Sequence, residues 1–373
     1  MDGSKFALGR LPWGLIASIV AIAGIESYIA GRGAFFRDPG DWGWAVTEKA
    51  ARVEGPKHEI LAFGDSLAKM GLVPEVIEAH SGRSTYNLAV TAGQAPSSYY
   101  LLQKTLDAGA RPRAILVDFF PRLLQVGVRD TPYWHAVLGP GQAAELAWKA
   151  RDPELFATIM APRLLSSLRA RHGLRMAISN LTWRPWGTET SAYRRNWREN
   201  RGAQLMPCGV DPNVDFPGIR RAFYSDAKFD PVNVAYIHRF LDLAASRSIP
   251  VYYLLPPIKP ALQAECEGSG FEAAYRAFLR EIQDRHPSVV IVDGRHADYD
   301  PALFHDANHL GRDGAWAFSA AIGDLLRERP PEAPGPLWVD LPAYRGLPAG
   351  SPPEDLNESR AALVAERRAA RLR

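Results

Sequence analysis

Two short stretches of this 373-residue chain hold residue types that together could break an ester bond. The first, ILAFGDS (60–66), is an apolar run that stops on Gly64, Asp65 and Ser66. The second, LFHDANHLGRDGAWAFS (303–319), carries Asp306 and His309 in a D-x-x-H spacing just ahead of an amphipathic run. A serine hydroxyl is a poor nucleophile until a neighbouring base takes its proton. Histidine is that base when a carboxylate holds its ring in one tautomer, and an acid three residues earlier can reach Nδ1 while Nε2 stays free for a serine from another element. The expected roles are therefore Ser66 as nucleophile, His309 as general base and Asp306 as its orienting acid. His305 and His309 are four residues apart, but no third ligand accompanies them and no metal site is expected.

Bringing these groups together is a task for the elements around them. From residue 58 onward, short aliphatic runs alternate with helical stretches: 59–64, 85–90, 113–120, 249–257 and 288–294 read as strands. The intervening 73–80, 97–109, 234–247, 271–285 and 314–328 read as helices. That alternation predicts an α/β fold, a three-layer α/β/α sandwich of flavodoxin-like type around a parallel five-stranded sheet. Ser66 follows the first strand directly and Asp306 and His309 follow the last, so all three belong to the carboxyl edge, where open α/β sheets place their ligand crevices. No metal or organic cofactor is called for.

Residues 121–231 interrupt the pattern as an insertion, with helices expected at 141–151 and 154–171 and a Trp- and Arg-rich stretch at 183–201. The insertion leaves from the catalytic edge and reads equally as a substrate wall or as a peripheral decoration. Trp183 and Trp186 are candidates for stacking on sugar rings, and Arg122 for substrate contact. Beyond residue 328 a Pro-rich segment, expected to be irregular, leads to a basic, exposed helix in a tail (329–373) with no catalytic part.

The N-terminus is apolar from Leu11 to Gly31, interrupted only by Glu26. That run is long enough to cross a hydrocarbon layer of about 30 Å. Residues 1–32 are read as a membrane anchor with the bulk of the chain outside the cytoplasm, periplasmic or at the cell surface, a cleaved signal peptide being the rival reading. Residues 33–57 then serve as a linker, or a short helix, leading to the domain at 58–328. The chain has a net charge of +3, with 23% charged and 47% hydrophobic residues. That balance gives no reason to expect a nucleic-acid partner or extensive disorder. Cys208 and Cys266 are too far apart for a CxxC pair, leaving free thiols or one long-loop disulfide open.

Either motif alone is unspecific, but a G-D-S block at the end of the first strand with a D-x-x-H block after the last resembles the SGNH, or GDSL, hydrolase superfamily. The likeness runs over residues 58–328, the insertion excepted. It implies a Ser66, His309, Asp306 triad and an oxyanion site built from the backbone N–H of Ser66 and a glycine amide in YNLAVTAGQAPSS (86–98), namely Gly93. Asn87 in the same block is a candidate for substrate contact or for a structural role. The third block departs from the family: ILVDFFPRLL (115–124) lacks the G-x-N-D asparagine, and neither Asp118, Arg122 nor Asn308 is an evident replacement. The resemblance implies an esterase acting on an acylated envelope carbohydrate or lipid, with an O-acyltransferase of envelope polysaccharide or a catalytically silent binding module as alternatives.

Overall fold

All five apolar runs become strands in the computed structural model, which describes residues 13–32, 38–171, 174–175, 187–209, 228–330 and 338–371. They are β1 (Ile60–Phe63), β2 (Thr85–Asn87), β3 (Ala114–Val117), β4 (Val251–Leu255) and β5 (Val290–Asp293), joined by a sixth, β6 (Trp338–Asp340). Every neighbouring pair is parallel, in the order β2-β1-β3-β4-β5-β6, with Ile60 in register with both Thr85 and Ala114. Side chains of β1, β3 and β4 are buried on both faces. That explains why the runs are continuously apolar and not alternating.

Helices Ala95–Asp107, Pro231–Ala245 and Phe271–Arg285 cover one face, where Tyr100, Tyr236, Phe240 and Leu279 pack on Phe63, Val117 and Tyr253. Helices Pro74–Ser81 and Arg312–Glu328 cover the other, with Ile77, Phe318 and Ile322 against Ile60, Leu116 and Val292. Each such side chain contributes roughly 1.5–3 kcal/mol when fully buried.

Three expectations are corrected. The sheet has a sixth strand within the tail thought irregular: Val339 aligns with Val292 of β5, so the pairing comes from a neighbour and not from an apolar run of its own. The folded domain starts ahead of residue 58: of the two readings of 33–57 the helix holds for Pro39–Val53, which buries Trp42, Trp44, Thr47, Ala50 and Ala51. The last helix, Leu356–Arg371, is not free-standing: Leu356 and Ser359 are buried, and Glu354 just before it takes Arg195 Nε at 2.8 Å and Asn196 Nδ2 at 2.9 Å from helix Gly187–Glu199 of the insertion.

Within the insertion, helices Trp134–Val137, Pro140–Lys149 and Pro153–Leu164 add Trp134, Val137, Leu146, Leu155 and Ile159 to the first core. Trp134 meets Trp44 edge-on at 5.3 Å between ring centroids. This described part of the insertion thickens the flank of the sandwich. Both cysteines are free thiols, Cys266 buried. At the N-terminus stands one apolar helix, Trp13–Gly31, with most of its surface exposed. It is long enough for a membrane anchor or a signal sequence.

Candidate active site

The turn that presents Ser66 is dictated by three residues buried at the ends of β1 and β3. Gly64 has φ +134°, and a Cβ there would stand 1.8 Å from Asp118 Oδ1. Only glycine fits such a position. Asp65 caps the short helix Ser66–Gly71, accepting from Leu67 N at 2.8 Å through Oδ1 and from Phe120 N at 2.8 Å through Oδ2. An acid is well suited to that task, since its carboxylate satisfies an amide the helix leaves unpaired. Asp118, one residue past β3, accepts from Asp65 N at 3.2 Å. The glycine and acid of G-D-S thus fasten the nucleophile turn to the next strand.

His309 lies 243 residues further on, yet its Nε2 is 2.8 Å from Ser66 Oγ and its Nδ1 is 2.8 Å from Asp306 Oδ2. An ionised carboxylate only accepts, so Nδ1 carries the proton and Nε2 accepts from the serine hydroxyl. Asp306 Oδ1 also accepts from the backbone N–H groups of Asn308 at 3.0 Å and His309 at 2.8 Å. Burial alone would raise this carboxyl, but the His309 bond, its charge and the two amides outweigh it and hold Asp306 down at about 2. Phe304 pairs with Leu310 across the base of this loop, and Lys259 N donates to Ala307 O at 3.0 Å, which ties the loop to the end of β4.

The other expected residues fall in different places. Asn87 is fully buried; its Nδ2 donates to Ala68 O at 2.8 Å and Leu72 O at 2.9 Å, and its Oδ1 accepts from Ala89 N at 3.0 Å. That places it as a structural tie between β2 and the Ser66 helix, away from substrate contact. Gly93 does approach the nucleophile turn, since a Cβ there would come within 2.9 Å of Gly64 O, but its N–H donates to Val90 O at 3.0 Å. Holding an oxyanion through Gly93 would require that bond to open. The N–H of Ser66, first in its helix, has no acceptor among the described residues. It sits at the positive end of the helix. Arg122 is half-buried on helix Pro121–Gln125 without an ion-pair partner among the described residues, and burial lowers its pKa. His305 donates Nδ1–H to Pro207 O at 2.8 Å, and Trp183 and Trp186 lie outside the described residues.

The sequence names several neighbours without showing what they do. The Asn308 amide nitrogen lies 3.3 Å from both ring nitrogens of His309, against the ring face, and limits its rotation. Asp65 and Asp118 are both raised by burial, Asp65 to about 6 and Asp118 well above its ordinary value, each also feeling the other carboxyl. A raised acid penalises the fold as pH climbs from the ordinary carboxylate range through the folded value. Asp118→Asn keeps the oxygen that accepts from Asp65 N and removes one charge. It is expected to raise the melting temperature at pH 8, with a gain that shrinks toward pH 4; equal melting temperatures at pH 8 would contradict this.

Lys69, one turn after Ser66, is fully buried with only Thr47 Oγ1 at 3.4 Å beside its ammonium. Burial pulls it from the ordinary 10.5 down to about 7. Between those values the unfolded chain binds a proton that the folded chain refuses, so stability falls as pH drops from 10.5 to about 7 and is flat below. At ~1.4 kcal/mol per pH unit the loss is on the order of 5 kcal/mol. Lys69→Met should therefore exceed the wild type by several kcal/mol in urea melts near pH 7, with the gap closing near pH 10. A gap independent of pH would refute the buried-charge explanation.

Fold and site together define an α/β protein with a six-stranded all-parallel sheet and a Ser-His-Asp relay at its carboxyl edge. The chain matches no family model and no curated protein.

Proposed function

We propose that the protein is a serine esterase of the SGNH/GDSL kind, held by its N-terminal helix at the outer face of a membrane and acting on acyl esters of an envelope carbohydrate or lipid. The observation that carries this reading is the unbroken relay Ser66 Oγ, His309 Nε2, His309 Nδ1, Asp306 Oδ2, with both links at 2.8 Å. The G-D-S block directly after β1 and the D-x-x-H block in the loop that follows β5 support it further.

In this reading Ser66 Oγ attacks the ester carbonyl while its proton passes to His309 Nε2, and Asp306, ionised throughout, stabilises the imidazolium. The oxyanion forms beside the N–H of Ser66, where the helix dipole favours negative charge. Collapse expels the alcohol, which takes the proton from His309 and leaves the acyl group on Ser66. An acceptor hydroxyl then attacks with His309 again as base, and the acceptor that enters decides between hydrolysis and transfer. A cavity of about 40 Å³ lined by Leu67, Phe119, Phe120, Leu255 and Ile258 begins one residue past Ser66, although neither Ser66 nor His309 lines it.

The test is release of p-nitrophenol from acetyl and butyryl esters by the full chain in detergent, with and without an oligosaccharide acceptor. Release in water alone supports the esterase. Release that depends on the oligosaccharide would mean an acyltransferase, and no release in either condition would remove both in favour of a binding role.

A further inference from the structure

Among the described residues, the N-terminal helix meets the domain near its end. Glu26 Oε2 accepts from Ser167 N at 3.1 Å, and Ile29 is buried against Ala170 and the half-buried Leu174. Around this junction the insertion turns apolar side chains outward: Leu164 is 79% exposed, and Leu165, Leu168 and Phe156 are exposed as well. They flank a helix whose own Ile19, Val20, Ile22 and Ile25 are exposed. Adjoining apolar surfaces of this kind are uncommon on a face that meets only water.

The same segment is basic. Residues 153–175 contain Arg163, Arg169, Arg171 and Arg175 against a single carboxylate, Glu154. Arg163 and Arg169 turn inward, to His135 O at 3.0 Å and Asp41 Oδ2 at 3.2 Å. Arg171 and Arg175 are exposed and line an open cleft of about 530 Å³ whose wall also carries Asp38, Asp41 and His135. Glu26 precedes the helix end at Gly31 by five residues. At the α-helical rise per residue that separation is about 7.5 Å. The bond from Ser167 therefore sets helix Ser166–Arg169 at the level where a spanning helix leaves hydrocarbon for headgroups.

We propose that the outward face of helices Pro153–Leu164 and Ser166–Arg169 lies on the membrane surface, with Leu164, Leu165 and Leu168 in the outer acyl layer and Arg171 and Arg175 among anionic lipid phosphates. Apolar residues beside arginines are the composition that binds a helix in the plane of an interface. The proposal rests on the helix Trp13–Gly31 being retained as an anchor. It adds that the domain is seated on the bilayer in one orientation, by a second contact, instead of swinging on a tether.

The test uses the full chain with Cys208→Ser and Cys266→Ala, reconstituted in vesicles of phosphatidylethanolamine and phosphatidylglycerol. Single cysteines replace Ile19, Trp148, Leu164, Leu165 or Leu168 and carry an environment-sensitive fluorophore. Trp148 is 83% exposed, on helix Pro140–Lys149, and serves as the aqueous reference. Labels at 164, 165 and 168 should be quenched by shallow doxyl lipids at least about threefold more than the label at 148, the depth expected of an interfacial helix. Deep quenching at 19 with aqueous behaviour at 164, 165 and 168 would overturn the surface contact and leave the anchor standing. Aqueous behaviour at all five positions would overturn both. In vesicles of phosphatidylcholine alone, weaker quenching at 165 and 168 is expected, and unchanged quenching would remove the arginines from the proposal.

Discussion

Ser66→Ala is expected to abolish the proposed ester hydrolysis, lowering kcat by about 10⁴-fold or more, and to leave the fold intact. In the proposed mechanism the hydroxyl is the attacking atom, and no other hydroxyl bonds His309 Nε2 among the described residues. The structural effect should be small, within about 1 kcal/mol. The reason is that Ser66 Oγ makes one hydrogen bond while the turn is held by Gly64, Asp65 and Asp118. The check is kcat on acetyl ester beside a urea melt of the same preparation. Full activity in a folded variant would mean that the relay is not the machinery.

Asp306→Asn should cost about 10⁴-fold in kcat for a different reason. An amide at that position can donate to His309 Nδ1, which places the ring proton on Nε2 and points it at Ser66, so the histidine cannot accept the serine proton. The shape of the loop survives, since the amide oxygen can still accept from the N–H groups of Asn308 and His309. A second readout separates charge from shape. Asp306 titrates at about 2 when folded against an ordinary 3.8, so its carboxylate contributes stability that is present above pH 3.8 and lost as pH falls toward 2. That contribution, on the order of 2 kcal/mol, should be absent from the acid limb of the Asp306→Asn stability curve. An unaltered acid limb together with wild-type kcat would contradict both roles.

What the sequence revealed of this site follows from the physics of its elements. Strands buried on both faces read as unbroken apolar runs, so β1 to β5 and the residues that end them stood out, and the acid–base pair could be placed at the same edge as Ser66. β6 did not stand out because three residues in a Pro-rich stretch become a strand only by pairing with β5. Helix Pro39–Val53 could be read only as one option beside a linker, because its burial depends on partners such as Trp134, far along the chain.

The polar support around the nucleophile was the least legible part. Asp118 reads as a polar residue ending a strand, and only the approach of β3 to Gly64 shows that it fastens the G-D-S turn. Lys69 reads as an exposed lysine on a short helix and becomes buried through the cover of the Thr47 helix. Asn87 could be named but its role could not be read, because the two carbonyls that take its amide hydrogens belong to another part of the chain.

The central claim is that His309 and Asp306 activate Ser66, and intact-mass analysis after exposure to a fluorophosphonate tests it most directly. The full chain in detergent should gain the mass of one phosphonyl group, and the Ser66→Ala and Asp306→Asn variants should gain none over the same interval. Absence of an adduct on the folded wild-type chain, or an adduct that persists in Ser66→Ala, would contradict the account.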